Sequence, residues 1–374
     1  MKYYIISGEA SGDLHGSNLI KQLRLMDNSA VIRCWGGDLM ESAGATLVKH
    51  YRDLAFMGFI EVVKNLPAIL KNISFCKEDI TSFVPDIIVL IDYPGFNLRI
   101  AEWGKKQGYK IVYYISPQVW AWKENRVKKM KMCIDKMLVI LPFEKDYFQD
   151  KWQWEVEYVG HPLVEVIENY IHTHPIDLIK DGNNKRLIVA LLPGSRKQEI
   201  EKKLPVMLAV SNSLPDYQFI VAKAPGLEDS FYEPFLLPYS NVSVVNNDTY
   251  GLLIQSKAAL VTSGTATLET ALFGVPEVVC YKGSNISYQI GKRLIKIKFI
   301  SLVNLIMDRL VVKELIQNEM TTDNLIIELS NLLNNAEQQL KLQKDYIALK
   351  SLLSQGGNAS QKAANSIVSF CRNE

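Results

Sequence analysis

The sequence predicts an α/β protein in which two doubly wound parallel sheets are followed by a helical C-terminal tail. Apolar runs of strand length alternate with segments of helical periodicity through the first half of the chain, and the alternation restarts at residue 187. Continuous Val and Ile runs, of which residues 85–92 are the strongest, are typical of parallel strands that are covered on both faces. From residue 311 onward the pattern is almost entirely helical.

Length and composition indicate a globular protein with two domains. The chain has 374 residues, enough for a substantial core in each of two domains. A net charge of +2 argues against a nucleic-acid binder that depends on bulk electrostatic attraction. The five cysteines are scattered without a CxxC pair, which favours reduced thiols in a cytosolic compartment. No apolar run approaches the roughly 18–20 residues of a spanning helix and no signal peptide is evident, so we expect a cytoplasmic protein that does not cross a membrane.

Periodicity and turn residues set the order of the elements. In the first half they predict a helix over residues 14–26 and strands at 3–7, 31–35, 85–92, 111–115, 137–140 and 156–159. In the second half they predict helices over 199–214 and 265–273 and strands at 187–192, 218–222, 242–245, 258–262 and 278–281. A polar connector within residues 163–186 marks the boundary. We therefore expect an N-terminal domain of residues 1–165, joined by a C-terminal helix over 350–374, and a C-terminal domain of residues 166–349.

The segment of residues 258–281 predicts a strand, a tight loop, a helix, a turn and a second strand. Ser263 and Gly264 break the first strand, and Thr265 offers an N-cap hydroxyl to the helix. A loop of small residues before a helix leaves backbone N–H groups free, and with the helix dipole these suit a phosphate. Glu269 lies one turn into the helix, where its carboxylate can accept hydrogen bonds from a ribose diol. The alternative is an ordinary βαβ unit with an exposed Glu, and the other loops favour the nucleotide.

The loop after residues 187–192 predicts the other half of a diphosphate site. Gly194 and Ser195 place backbone donors at the start of a helix, and Arg196 adds a planar cation that can bind a diphosphate through two hydrogen bonds. The alternative is a surface arginine on an ordinary turn. Pairing with residues 263–269 in the same domain favours the diphosphate site.

Carboxylates follow two strands of the N-terminal domain, and open α/β sheets bind ligands at such strand ends. Residues 7–13 lack the GxGxxG pattern, and Glu9 and Asp13 make this loop a poor phosphate cradle that suits sugar hydroxyls better. For Glu9 the site is favoured, whereas for Asp13 the alternative, an N-cap of the following helix, is favoured. Asp92 ends the strongest strand before a Pro-Gly turn, which makes it a candidate general base; the alternative is an Asx-turn acid.

Several stretches combine aromatic or apolar residues with cations. Trp120 and Trp122 follow another strand and suit stacking on a sugar or an acyl chain, or a place in the core. Residues 54–75 are too apolar for a surface loop and too interrupted to span a bilayer, so they predict an interfacial segment, an acyl-chain groove or an ordinary core helix. The basic residues within 123–136 and 292–298 suit anionic lipid head groups, or form solvated faces.

The sequence predicts no metal site and no cofactor. His172 and His174 are separated by one residue but have no third candidate ligand close by. The chain has no Asp-x-Asp pair, which metal-dependent sugar-nucleotide transferases commonly use to hold a divalent ion on the diphosphate. We therefore expect Arg196 and the N-termini of helices to stabilise the negative charge of the diphosphate as it leaves.

Eight short motifs occur in the order that a known family has them. They are GEASGD at 8–13, IDYP at 91–94, SPQVWAW at 116–122, LPFE at 141–144, GHP at 160–162, LPGSR at 192–196, SGTATLE at 263–269 and SLVNL at 301–305. Together they resemble the lipid-A-disaccharide synthases, glycosyltransferase family 19, from about residue 7 to residue 305.

The resemblance implies a GT-B fold, with the acceptor bound mainly in the N-terminal domain and the donor nucleotide in the C-terminal one. It implies that 2,3-diacylglucosamine is transferred from UDP to the 6-hydroxyl of 2,3-diacylglucosamine 1-phosphate (lipid X), with inversion at the anomeric carbon. By position, Asp92 and Arg196 match the family's essential aspartate and arginine. Glu9 and Asn304 match polar residues of the active site, and Glu269 matches the ribose-binding acid.

The resemblance also has implications for assembly and location. It implies a homodimer that exchanges C-terminal helices. Because both substrates carry acyl chains, it implies a peripheral protein on the cytoplasmic face of the inner membrane, held to an anionic membrane surface. Two positions depart from the family pattern: Gly95 stands where many members carry a second acid, and Val303 replaces the usual Pro before Asn304.

Two other functions stay open at this point. One is a GT-B enzyme that acts on a non-acylated UDP-sugar, such as a UDP-GlcNAc 2-epimerase. The other is a non-catalytic module that binds a nucleotide sugar.

Overall fold

The chain forms two compact units. The computed structural model describes residues 1–54, 66–174, 186–284, 288 and 297–372. The N-terminal unit comprises Met1–Pro162 together with Leu353–Glu374, and the C-terminal unit comprises Leu163–Leu352.

The N-terminal unit is built on a parallel sheet. Its strands are β1 (Lys2–Ile6), β2 (Val31–Gly36), β3 (Thr46–His50), β4 (Ile87–Ile91), β5 (Lys110–Tyr114), β6 (Lys136–Val139) and β7 (Glu157–Tyr158). Within the described residues these seven strands are ordered β3-β2-β1-β4-β5-β6-β7, and each pairs in parallel with its neighbours. The intervening helices are α1 (Ala10–Met26), α2 (Asp38–Ser42), α3 (Leu66–Phe83), α4 (Pro94–Lys106), α5 (Arg126–Cys133) and α6 (Pro142–Trp152).

The order of strands reverses at β1, which pairs with β2 on one side and with β4 on the other. In doubly wound sheets, ligands bind outside the carboxyl ends of the strands at this reversal. Glu9 follows β1 and Asp92 follows β4, so both acids stand at this position.

The C-terminal unit repeats this architecture. Helix α7 (Pro162–Thr173) leads into it, and its strands are β8 (Leu187–Leu192), β9 (Tyr217–Lys223), β10 (Val242–Asn246), β11 (Ser256–Thr262), β12 (Glu277–Tyr281) and β13 (Lys313–Ile316). Among the described residues the sheet has six parallel strands in the order β10-β9-β8-β11-β12-β13. The reversal falls between β8 and β11, where Leu192 pairs with Val261. The loops that follow these two residues therefore start at the same level of the sheet.

Short helices surround this second sheet, and longer ones follow it. They are α8 (Lys197–Ala209), α9 (Asp229–Leu236), α10 (Thr249–Gln255), α11 (Thr265–Leu272), α12 (Leu302–Met307), α13 (Thr322–Asn334), α14 (Ala336–Ser354) and α15 (Ala359–Arg372). Single 3-10 turns occur at Tyr51–Leu54, Val210–Ser213 and Gln317–Glu319. Helix α15 returns to the N-terminal unit and packs against α1.

The apolar runs form strands whose side chains are buried. All five residues of β4 are buried, as expected for a strand covered by helices on both faces. The core of the N-terminal unit includes Tyr4, Trp35, Phe96 and Phe148. The prediction of two doubly wound α/β units with a helical tail is confirmed.

Two edge strands and two helix starts differ from the prediction. Strands β3 and β13 were not predicted, because each lies at the edge of its sheet and has too many polar residues to give an apolar run. Helix α1 begins at Ala10, with Glu9 at its N-cap, so the predicted loop over residues 7–13 is partly wrong. The N-cap of α11 is Gly264 and not Thr265.

The segments predicted to meet a membrane are described only in part. Residues 55–65 and 292–296 lie outside the described residues. On α3, the side chains of Leu70 and Phe75 are 51% and 44% exposed. Within the described ranges, no helix combines the length and the apolar character that crossing a bilayer requires.

Candidate active site

A cleft of about 480 Å³ opens at the strand reversal of the C-terminal unit. The loops that follow β8 and β11 form its walls, together with residues at the end of β9. These walls include every residue that the 191–197 and 263–269 loops were predicted to contribute: Gly194, Ser195, Arg196, Ser263, Gly264, Thr265 and Glu269. The two halves of the predicted diphosphate site are thus brought together.

Backbone amides at the start of α11 face this cleft. Gly264 has a φ of +143°, a conformation that favours glycine, and a Cβ built there would meet no atom within 4 Å. The first N–H groups of a helix have no acceptor within it, and with the helix dipole they favour an anion. The hydroxyl of Ser263 is already occupied, since its Oγ donates to the backbone oxygen of Ile300 at 2.8 Å. Ser263 therefore holds the loop, and the loop backbone supplies the donors.

Glu269 stands in the cleft wall with its carboxylate fixed by Tyr250. The phenolic O–H of Tyr250 donates to Oε1 of Glu269 at 2.9 Å. Burial raises the pKa of the Glu269 carboxyl, and the hydrogen bond from Tyr250 opposes that rise. Tyr250 was not among the predicted residues, because it lies on α10 and nothing in the sequence links it to Glu269.

Arg196 forms the N-cap of α8 and remains largely in solvent. Its side chain is 65% exposed, and its Nη1 lies 3.7 Å from Oε1 of Glu199. Gly194 before it has a φ of +118°, which again favours glycine. The turn thus presents an exposed cation beside the amides of a helix start.

Asp92 follows β4 in a strained backbone conformation. Asp92 and Tyr93 both have left-handed φ values, +43° and +49°, which cost free energy in residues with a side chain. Two buried side chains hold this conformation. The Asn97 amide and the Tyr113 hydroxyl both donate to the backbone oxygen of Asp92, at 2.8 and 2.5 Å.

The pKa of the Asp92 carboxyl is raised above its ordinary value. Burial raises its pKa to about 6, the adjacent carboxylate of Glu9 adds to the rise, and a hydrogen bond with the Tyr93 backbone opposes it. Gly8 allows the two loops to approach, since a Cβ there would lie 2.3 Å from Cγ of Tyr93. Strain, burial and a neighbouring acid together are the features expected of a general base.

The carboxylate of Asp13 is held by backbone hydrogen bonds. It is buried, and its carboxylate accepts hydrogen bonds from three amide groups at the start of α2, those of Gly37, Leu39 and Met40, at 2.8, 3.2 and 3.0 Å. The prediction that Asp13 caps its own helix is wrong, because Glu9 takes that position and Asp13 caps α2 instead. These contacts favour a supporting role over the predicted contact with a substrate.

Asn304 is buried behind the cleft and is absent from its walls. Its Nδ2 donates to Oε1 of Glu314 at 2.8 Å and to the backbone oxygen of Val312 at 2.9 Å. Glu314 also accepts the N–H of Ile300, whose carbonyl oxygen holds Ser263. Asn304 is thus connected to the cleft loop through a chain of hydrogen bonds.

The aromatic loop after β5 contains one packed and one exposed tryptophan. The Nε1 of Trp120 donates to Oε1 of Glu144 at 3.2 Å, and burial raises the pKa of Glu144 to about 7. Trp122 is 48% exposed, with Nζ of Lys123 4.0 Å from its ring centroid. Trp120 is therefore half-buried and held by Glu144, and Trp122 is the more exposed of the two side chains.

The described residues contain no group of three His, Cys, Asp or Glu side chains arranged to hold a metal ion. The ring of His174 stacks on Tyr170, and its Nδ1 lies 3.0 Å from Oγ1 of Thr173. The ring of His174 is thus engaged by its neighbours on α7.

Comparisons with known proteins identify relatives over nearly the whole chain. A family model described as lipid-A-disaccharide synthetase matches residues 3–368. The chain is 35% identical over 374 residues to a lipid-A-disaccharide synthase of Trichlorobacter lovleyi, covering 98% of this chain and 96% of that protein. It is 36% identical over 367 residues to a lipid-A-disaccharide synthase of Coxiella burnetii, covering 97% and 96%.

Solved structures with the same fold are more distant in sequence. A UDP-GlcNAc 2-epimerase from Neisseria meningitidis bound to UDP-GlcNAc has a TM-score of 0.70 at 13% identity and covers 99% of this chain and 100% of its own. A glycotransferase of kitacinnamycin has a TM-score of 0.67 at 12% identity, with 98% of each chain covered. At these identities the likeness shows the fold, and it confirms the GT-B prediction.

Proposed function

The chain belongs to the lipid-A-disaccharide synthetase family, and from this premise we propose how its residues carry out the reaction. It is a UDP-sugar-dependent glycosyltransferase of lipid A biosynthesis. It transfers 2,3-diacylglucosamine from UDP to the 6-hydroxyl of 2,3-diacylglucosamine 1-phosphate, and UDP is released. The assignment of roles rests chiefly on one observation: Asp92 lies at the strand reversal of the N-terminal unit with a strained backbone and a carboxyl whose pKa is raised to about 6.

The cleft of the C-terminal unit binds the UDP part of the donor. The amides at the start of α11 and the guanidinium of Arg196 meet the diphosphate, because both provide hydrogen-bond donors and positive charge in the same cleft. Glu269, fixed by Tyr250, accepts hydrogen bonds from the ribose hydroxyls. Ser263 and Asn304 keep the loop in place from behind.

Asp92 acts on the acceptor. Its carboxylate takes the proton of the 6-hydroxyl while that oxygen forms a bond to the anomeric carbon of the donor. The bond from that carbon to the UDP oxygen breaks on the opposite face, so the configuration inverts and no covalent enzyme intermediate forms. Glu9 binds acceptor hydroxyls and keeps the pKa of Asp92 high through the repulsion of two carboxylates.

An assay with the acylated substrates, run beside an incubation with plain UDP-GlcNAc and a measurement of UDP binding, separates this function from its alternatives. Purified protein is incubated with UDP-2,3-diacylglucosamine and 2,3-diacylglucosamine 1-phosphate, and the products are identified by mass spectrometry. We expect the acylated disaccharide phosphate and stoichiometric UDP. Turnover of plain UDP-GlcNAc to its 2-epimer would identify an epimerase instead, and UDP binding without UDP release in the presence of acceptor would identify a binding module.

For the location, we propose a peripheral association with the cytoplasmic face of the inner membrane. It is supported by the exposed Leu70 and Phe75 of α3 and by Trp122 beside Lys123. Flotation with vesicles tests this proposal: binding that is the same with and without anionic lipid, and at low and high salt, would contradict the electrostatic part.

For the assembly, we propose a homodimer in which C-terminal helices are exchanged. Helix α15 packs against α1 in the single chain, and the same contact can be made with a partner copy. Light scattering after size-exclusion chromatography tests the dimer, and a monomeric mass at assay concentration would contradict it.

A further inference from the structure

Three charged side chains of α8 lie in a row beside the cleft. Arg196, Glu199 and Lys203 are three and four residues apart, so they share one face of the helix. Nη1 of Arg196 lies 3.7 Å from Oε1 of Glu199, and Nζ of Lys203 lies 3.6 Å from Oε2. Each oxygen of the central carboxylate therefore faces a different cation.

The two cations differ in their freedom to move. The side chain of Arg196 is 65% exposed, whereas that of Lys203 is 3% exposed. The buried ammonium lies directly beneath the turn of the first cleft loop, because a Cβ built on Gly194 would be 3.5 Å from Nζ of Lys203. The same Cβ would be 2.9 Å from Oε2 of Glu199. The ion pair is thus packed under the backbone that lines the diphosphate end of the cleft.

Glu199 presents a difficulty for a site that binds a diphosphate. Its carboxylate forms part of the cleft wall, and two anions at close range repel each other strongly when they are partly shielded from water. The same wall also contains Thr262, which is buried and whose Oγ1 has no hydrogen-bond partner among the described residues. The hydroxyl of Thr262 can donate to a phosphate oxygen, but the acid of Glu199 needs a compensating charge before a polyanion can lie against this wall.

We propose that Lys203 is a positioning residue that neutralises Glu199, so that Arg196 is available to the donor diphosphate. With Lys203 in place, Glu199 already has a counter-ion and the charge of Arg196 is in excess. Without it, Arg196 becomes the sole counter-ion of Glu199, and the salt bridge competes with the diphosphate for the same guanidinium. This inference rests on the proposed function, since it concerns the diphosphate part of the same donor.

A double-mutant cycle on UDP binding tests the proposal. In Lys203→Met, which keeps the length of the side chain without its charge, we expect the Kd for UDP, measured by calorimetry, to rise about tenfold. In Glu199→Gln/Lys203→Met the Kd should return to within about threefold of Glu199→Gln alone, because no acid is left to hold Arg196. Lys202→Met, which changes the adjacent exposed lysine, is the matched control and should bind UDP as the wild type does.

Kinetics distinguish this role from a merely structural one. The diphosphate is charged before the reaction begins, so loss of Lys203 should raise KM for the donor and leave kcat within about threefold. A folding defect would instead lower kcat with the active fraction and leave KM unchanged. Thermal melting of each variant checks that the fold is retained.

The possible results separate the inference from the function on which it rests. An unchanged Kd in Lys203→Met overturns the inference, and so does an equal loss in the single and the double variant, since Lys203 would then not act through Glu199. If the wild type binds UDP but forms no disaccharide, the proposed function fails, and the cycle still decides the role of Lys203.

Discussion

Replacing Asp92 with Asn removes the proposed base and leaves the geometry around it intact. Asn tolerates the left-handed backbone of this position, and the bonds from Asn97 and Tyr113 go to the backbone oxygen, which is unchanged. Losing a general base costs about 10²–10⁴-fold in rate, or about 3–5 kcal/mol in the activation barrier. With a pKa of about 6, the wild-type kcat/KM should fall about tenfold per pH unit below that value, and this acid limb should vanish in Asp92→Asn.

The measurement is UDP release from the acylated donor in the presence of acceptor, between pH 5 and pH 9, together with the Kd for UDP. Asp86→Asn is the matched control, because Asp86 is an exposed acid at the opposite end of the same strand. We expect this control to keep most of its activity, and Asp92→Asn to bind UDP as the wild type does. Turnover of Asp92→Asn within threefold of the wild type, or an acid limb that persists in it, would refute the assignment.

Three further substitutions have definite expected outcomes. Glu9→Gln should move the acid limb of kcat/KM to lower pH, because removing the neighbouring carboxylate lowers the pKa of Asp92; a limb that stays in place would argue against their coupling. Glu269→Gln should weaken UDP binding by about tenfold or more, since hydrogen bonds to a charged group contribute about 1.5–3 kcal/mol. Calorimetry with UDP and with 2′-deoxy-UDP should show that the variant no longer distinguishes the two nucleotides. Glu277 is buried with neither carboxylate oxygen hydrogen-bonded among the described residues, and burial raises its pKa well above 4.5. The stability associated with protonated Glu277 is therefore fully present below pH 4.5 and is lost as pH rises towards the raised pKa. The free energy of unfolding should fall there by up to about 1.4 kcal/mol per pH unit. Urea melts from pH 4 to pH 8 measure this dependence, and Glu277→Gln should remove its contribution.

The fold and the position of the candidate site could be predicted because both follow from local patterns. A run such as Ile87–Ile91 has no polar residue to place in water, and its length and β-branched residues favour a strand covered on both faces. In a doubly wound sheet the ligand lies at the carboxyl ends of the strands that flank the reversal. Asp92 and the glycines at 194 and 264 were found in this way, from the residues that end such runs.

The contacts that sequence reasoning did not foresee depend on distant partners. The amide groups that Asp13 caps lie 24 to 27 residues further along the chain, and only the folded sheet brings them together. Asn304 looks like a polar residue of a loop, yet its amide is satisfied by Glu314 and by the backbone of Val311 and Val312, just before β13. Nothing local distinguishes Lys202 from Lys203, although one is exposed and the other is buried beneath the cleft.

The strand reversal carries different chemical groups in the two units. At its strand reversal the N-terminal unit presents the carboxylates of Glu9 and Asp92, and burial together with the repulsion from Glu9 raises the pKa of Asp92, the proposed base. At the corresponding position the C-terminal unit presents amides and a cation, which suit the proposed departing diphosphate. One acid in the wall of that proposed site has its charge compensated, because Glu199 lies between two cations. Burying the charge of Lys203 under a glycine turn costs free energy, and neutralising Glu199 beside the proposed diphosphate site accounts for that cost. Of the charges around this site, the charge of Lys203 is therefore the most informative one to remove.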